Sequence, residues 1–173
     1  GAPGRFIVAD MPFLAARKGV AHALECAAQL LRAGAQAVKI EGVRGHADVI
    51  QHLVESGIPV MGHLGLTPQS VRTLGGFKVQ ARDKADAERL REDAAILESA
   101  GAFAVVLECI PRQLARTVPA ARRLNTIGIG AGEDCDGQVL VLHDLLGLSP
   151  EFRPRFARGF ADGAGLVRDG IER

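Results

Sequence analysis

The sequence predicts an α/β chain of repeated βα units around a parallel sheet. Three observations predict it. Short Val-, Ile- and Leu-rich runs alternate with longer Ala-rich amphipathic segments, glycines close several of those segments, and the apolar runs end on titratable or glycine-rich stretches. Strand-like runs cover 6–9, 37–40, 60–62, 103–107, 126–129 and 139–142. Helical patterns cover 20–33, 47–56, 85–100 and 112–123, and Gly34, Gly57 and Gly101 stand where helices should stop.

Two stretches interrupt this rhythm. The segment 64–83, LGLTPQSVRTLGGFKVQARD, is a long connection of the kind that is usually functional; Thr67-Pro68 reads as a helix start and Gly75-Gly76 as a tight turn. From about residue 149 the chain reads as a helical tail, because Phe152, Phe156 and Phe160 recur at helical spacing. Residues 1–173 otherwise read as one domain, with no linker or low-complexity tract.

Composition narrows the function classes. Twenty-one Lys and Arg balance twenty Asp and Glu, so no strong field favours nucleic acid or an anionic membrane. Trp and Tyr are absent, which disfavours a base-stacking platform. Cys26, Cys109 and Cys135 form no CxxC pair, so neither a disulfide scaffold nor a zinc site is expected, and the default compartment is the cytoplasm. Cys109 reads as a buried small hydrophobe in preference to a nucleophile. The opening GAPGRFIVAD lacks the pattern of a signal peptide, and no window reaches the length of a membrane span.

The carboxyl ends of the strands carry the chemistry. FIVAD ends on Asp10, VKIEG carries Glu41, VMGHLG carries His63, VVLECIP carries Glu108, and VLVLHD ends on His143 and Asp144. In a parallel sheet those ends gather on one rim, where barrels and open α/β sheets alike build their sites. On the strand AVKIE, Lys39 and Glu41 share one face, and Val38 and Ile40 share the other. Asp10, Glu41 and Glu108 are hard oxygen ligands and potential bases, a set suited to Mg²⁺ together with a 2-oxo acid. A carboxylate left off the metal would remove a proton beside the carbonyl, and Lys39 would neutralise a substrate carboxylate.

Other polar features read less sharply. His63 is open between a site role and a structural one, and His143-Asp144 between mutual orientation and helix-dipole service. His22, His46 and His52 read as bland. Gly128, Gly130 and Gly132 give GxGxG, which misses the dinucleotide fingerprint by one place and reads as a tight turn or a close backbone approach.

The motifs VADMPF, VKIEG, GHLGLTPQSV, GGFKVQAR, LECIP and IGIGAGEDCDGQVLVLHD occur in that order from residue 6 to about 160. Together they resemble the ketopantoate hydroxymethyltransferase (3-methyl-2-oxobutanoate hydroxymethyltransferase) family. The resemblance implies a (βα)₈ TIM-type barrel of which six parallel strands are represented. It also implies a Mg²⁺-dependent cytoplasmic homo-oligomer, typically a decamer. The implied reaction moves a hydroxymethyl group from 5,10-methylenetetrahydrofolate to 2-oxoisovalerate on the route to pantothenate. Carried over by motif, Asp10 is a metal ligand that also lies at the substrate, and Glu41 belongs to the metal shell. Lys39 and His63 contact the keto acid, and Glu108 accepts the proton. The resemblance does not identify the folate-contacting residues.

Departures from the family pattern matter too. The match begins at the family's third strand, so an aspartate-serine pair that ends an earlier strand has no counterpart; the expectation is that further residues precede Gly1. Val43 stands where a second glycine is usual, and Ala81 where VQGR is usual. Three alternatives stay open: an inactive truncated paralogue acting as an assembly subunit, a Mg²⁺-dependent lyase or mutase of phosphoenolpyruvate-like acids, and a Schiff-base aldolase using Lys39.

Overall fold

The computed structural model describes residues 4–118, 124–151 and 154–173. The chain divides into two compact units, Gly1–Gly137 and Gln138–Arg173.

The first unit is the βα body. Its strands are β1 (Val8–Asp10), β2 (Ala37–Glu41), β3 (Val60–Gly65), β4 (Ala104–Glu108) and β5 (Asn125–Ile129), each paired in parallel with the next. The two-residue β6 (Gly137–Gln138), at the seam of the units, completes the order β1-β2-β3-β4-β5-β6. Each strand thus lies beside its predecessor with no reversal. A doubly wound sheet reverses its order at a switch point, whereas a barrel does not. The fold is α/β of the TIM-barrel type, with six of its strands present in this chain.

Burial agrees with the single winding. Helices α1 (Val20–Arg32), α2 (Ala47–Glu55), α3 (Lys84–Ser99) and α4 (Arg112–Thr117) come after β1 to β4 in turn. Ala23, Ala27, Ile50, Leu53, Leu90, Leu97 and Leu114 from these helices join Val38, Ile40, Val60, Leu64, Val105 and Leu107 in one core. A second, smaller cluster holds strand residues of the opposite parity: Met61, Ala104, Val106 and Ile129, flanked by Val8 and Ile127. Side chains alternate along a strand, so the helices cover one face and the small cluster lies on the other. Burial on both faces explains why these strands read as continuous apolar runs rather than alternating ones.

Helix limits come from local chemistry. Asp83 caps α3 by accepting the Asp86 N–H at 2.8 Å. Gly34, Gly57 and Gly101 all have positive φ just past α1, α2 and α3, as the sequence predicts. In the 64–83 connection, Thr67 precedes a 3₁₀ turn (Pro68–Ser70), and Gly75 and Gly76 turn at positive φ. The helix expected over 112–123 is described only as far as Thr117 with its cap Val118, and 119–123 lie outside the described residues.

Two expectations change. The run 139–142 is not a strand: pairing ends at Gln138, and Leu142 opens the short helix α5 (Leu142–Leu146). A four-residue apolar run has no period to separate a strand from the approach to a helix. The phenylalanine spacing in the tail also forms no helix. Phe156 and Phe160 lie in irregular chain, Phe152 lies outside the described residues, and the terminal helix α6 spans Gly163–Glu172. Pro154 falls inside the expected helix, where it lacks the N–H that the helix requires.

Within the second unit, Gly147 closes α5 at φ 65°, and Asp162 caps α6 by accepting the Gly165 N–H. Among the described residues, no helix is long and apolar enough to cross a membrane.

Leu97 is fully buried where α3 meets the sheet. Leu97→Ala should lower the unfolding free energy by about 2–5 kcal/mol, read from urea midpoints at constant m.

Candidate active site

Strand register assembles the site. Asp10 on β1 is opposite Lys39 on β2, Glu41 is opposite His63 on β3, and Gly65 is opposite Glu108 on β4. These positions fall at the carboxyl ends of the strands, and their side chains share the parity of the small cluster rather than that of the helix-covered core. Asp10, Lys39, Glu41, His63 and Glu108 are therefore brought onto one rim. His143 and Asp144 are not part of this set; they lie on α5 in the second unit.

His63 is the centre of the constellation, with only 3% of its surface exposed. Lys39 Nζ lies 3.1 Å from His63 Nδ1 and 2.5 Å from Asp10 Oδ1. An ammonium can only donate, so Nδ1 accepts, and the network assigns the proton of neutral His63 to Nε2. That nitrogen lies 3.1 Å from Glu108 Oε2. The approach is off the N–H direction, so no hydrogen bond forms and Nε2 is a buried group without a hydrogen-bond partner. The site thus holds an oriented donor beside a carboxylate. Lys39, expected beside Glu41, makes its ion pair with Asp10 instead. Asp10 is 63% exposed, so that pair contributes at most about 1 kcal/mol and mainly fixes the ammonium.

Glu41 sits deeper. Its Oε2 accepts the Gln69 backbone N–H at 2.9 Å, and its Oε1 lies 4.0 Å from His63 Nδ1. Burial pushes the Glu41 carboxyl up from its ordinary range, and Asp10 adds to the shift; the Gln69 N–H, His63 and Lys39 oppose it. Gln69 also donates from its side chain to the Met11 carbonyl, tying the 3₁₀ turn to the end of β1.

Glu108 is held through its backbone. Leu66 N–H donates to the Glu108 carbonyl at 2.8 Å. Gly65 (φ 88°) makes that approach possible, since a β-carbon at this position would lie 2.2 Å from the Glu108 carbonyl oxygen. Cys109 comes next at φ 48°, with its N–H on the Ile129 carbonyl and its own carbonyl accepting from Gln80. Burial, then the neighbouring Glu108, pushes the Cys109 thiol up, which suits the small-hydrophobe reading over the nucleophile.

The donor set fits a hard divalent ion of the Mg²⁺ type in one respect. Asp10 and Glu41 carry hard oxygen donors and sense one another, and Mg²⁺ takes one or two carboxylates plus water and substrate oxygens. Among the described residues, no group of three or more His, Cys, Asp or Glu side chains forms a closed cage. Of the three carboxylates on this rim, Glu108 faces His63, and Asp10 and Glu41 are the pair that sense one another.

Two features of the structure have no clear counterpart in the sequence motifs. His46, bland by sequence, is 2% exposed at the start of α2 and lines a cleft next to Glu41. Its Nε2 donates to the Gly42 carbonyl at 3.3 Å, while Nδ1 is buried next to the Arg44 backbone. His46 stands five places beyond Glu41, outside the residues that directly end a strand. The second feature is Asp136, whose carboxylate accepts both the N–H and the hydroxyl of fully buried Thr126 at 2.8 Å. Those bonds hold the Asp136 carboxyl below its usual range and fold the glycine-rich stretch back onto β5. Asp136-Gly137 is a turn signal, but such a signal does not identify the partner.

A family profile described as ketopantoate hydroxymethyltransferase matches residues 1–173. The chain belongs to that family. A 3-methyl-2-oxobutanoate hydroxymethyltransferase from Bdellovibrio bacteriovorus is 51% identical over 171 residues, covering 99% of this chain and 65% of the relative. One from Coxiella burnetii is 49% identical over 173 residues, again covering 99% and 65%. The chain therefore spans just under two thirds of the length of these ketopantoate hydroxymethyltransferase relatives. A solved structure from Burkholderia cenocepacia J2315, provisionally assigned as a phosphonomutase, superposes with a TM-score of 0.51 at 17% identity. It covers 70% of this chain and 52% of its own, a likeness of fold alone.

Gly65→Ala should cost more than about 1 kcal/mol of stability, through its positive φ and its collision with the Glu108 carbonyl; denaturant titration measures it. His46 gives a pH dependence. Burial first, then Arg17, lowers its pKa below the ordinary 6.5, so protons bind the unfolded chain more readily. The stability contributed by neutral His46 is complete above about pH 6.5 and is lost as the pH falls through the lower folded value. His46→Gln should flatten the fall in urea midpoint between about pH 7.5 and 5.5.

Proposed function

We propose that the chain carries the reacting site of an enzyme that transfers a hydroxymethyl group from 5,10-methylenetetrahydrofolate to 2-oxoisovalerate, giving ketopantoate. One observation carries the proposal: a buried His63 linked to Lys39 on one side and facing Glu108 on the other, on the motif positions of the family. The names of its relatives support the substrate class.

Each residue has a task in this reading. Lys39, fixed by Asp10, receives the carboxylate of the keto acid. His63 offers its Nε2–H to substrate oxygen in a water-poor setting, where a directed donor acts more strongly than in water. Glu108 removes the proton from C3, and the electron pair left on that carbon becomes an enolate delocalised onto the carbonyl oxygen. Asp10 and Glu41 would hold Mg²⁺. When bound, the ion supplies positive charge to the oxygens of a 2-oxo acid. Water adds to the methylene carbon of the folate donor, both C–N bonds to that carbon break and each released nitrogen gains a proton from that water; C3 then bonds to the resulting formaldehyde-level carbon, and the oxygen that came from water takes the proton held by Glu108 and becomes the new hydroxyl. The ion pair of Lys39 with Asp10 argues against the Schiff-base alternative, because a nucleophilic amine needs a free lone pair.

Enolisation can be tested without folate. In D₂O with Mg²⁺, proton NMR should show deuterium entering C3 of 2-oxoisovalerate. Glu108→Gln should slow this at least about 10²-fold while leaving the fold intact by circular dichroism. Exchange undiminished in that variant would remove Glu108 from the role of base.

A further inference from the structure

The cleft beside Glu41 has features that the reacting constellation does not use. It is an open cleft with about 80 Å³ of accessible space between the segment after β1, the β2–α2 loop and the Pro68–Ser70 turn. One wall is built on strain: Leu14 adopts φ 63°, ψ 5°, a left-handed conformation that is an outlier for a bulky residue. Ala15 and Ala16 are buried just after it, while Phe13 is left 62% exposed on the cleft. An exposed ring on the rim of the site is a ready surface for a flat ligand.

The polar groups converge on the same space. Arg17 lines the cleft, and no carboxylate among the described residues pairs with it. Its guanidinium lies over Gly45 (φ 79°), where a β-carbon would come within 2.6 Å of Nη1. The glycine therefore makes room for the arginine. His46 forms part of another wall, with its Nδ1 buried next to the Arg44 backbone. Arg44 itself is clamped by Glu92 at 2.7 Å and Asp93 at 2.5 Å, which ties this loop to α3. Such a cleft has a flat apolar platform and an unpaired planar cation. A ligand with an aromatic body and a carboxylate satisfies both.

We propose that this cleft holds the aromatic and carboxylate-bearing portion of the one-carbon donor, with Phe13 against the ring and Arg17 on the carboxylate. The inference rests on the reading of the reaction above. It directs the reactive end of the donor inward toward Glu41, which borders both the cleft and the His63 constellation.

p-Aminobenzoylglutamate and its dimethyl ester are suitable probes, since they share the ring and the amide N–H and differ in charge. Calorimetric titration into the wild-type chain should show the acid binding and the ester binding more weakly. Arg17→Met should lose about tenfold for the acid and little for the ester, and Arg17→Lys should keep part of the difference, as a point charge replaces a fork. Arg17 is exposed, so these changes leave the core untouched. Equal affinity for acid and ester, an Arg17→Met variant that binds like wild type, or no binding of the acid to the wild-type chain would each overturn the proposal. Deuterium exchange into 2-oxoisovalerate, run on the same wild-type sample, reports separately on the reaction: a chain that exchanges but does not bind the acid overturns the cleft assignment alone.

Discussion

The register of the parallel sheet is the constraint on which the rest of this molecule depends. Side chains on a strand alternate with period two, so a slip of one residue would move every one of them to the other face. With Asp10 opposite Lys39, Glu41 opposite His63 and Gly65 opposite Glu108, five titratable groups from four strands fall on the face free of helices. The same register sends Val38, Val60, Val105 and Leu107 into the helix-covered core, and burying them is what makes a slip costly. Site and core are two outcomes of one pairing.

Within that frame, His63 links groups that would otherwise act alone. Its Nδ1 is occupied by Lys39, which fixes the tautomer, and its Nε2 is turned toward Glu108 without closing a hydrogen bond. A buried donor left unsatisfied costs the fold on the order of 1–3 kcal/mol. Such a cost is tolerable where a ligand atom offsets it.

Backbone geometry carries as much of the arrangement as side-chain chemistry. Leu14, Ala81 and Cys109 are held in left-handed conformations that such residues rarely adopt, and all three stand in loops after strands or in the long 64–83 connection. Gly65 permits the close approach that anchors the Glu108 carbonyl, and Gly45 makes room for the Arg17 guanidinium. Ala81, where the resemblance leads one to expect glycine, keeps the left-handed backbone that glycine would adopt without strain. Val43, the other departure, is buried in the core.

The sequence by itself determined the α/β class, β1 to β5 and the first three helices within a few residues, because apolar runs, helix-stop glycines and capping residues act over short distances. It also determined that Asp10, Glu41, His63 and Glu108 stand at or near the ends of their strands, since strand ends are local events. The tertiary structure alone decided that Lys39 pairs with Asp10 and not with Glu41, which is its near neighbour along the chain. Cross-strand register brings Asp10 within reach, and register is a property of two segments. It alone decided that His46 is buried, that Asp136 folds back onto Thr126, and that Arg17 lies over Gly45. Composition and periodicity act over a few residues, whereas these contacts depend on where the sheet places distant loops.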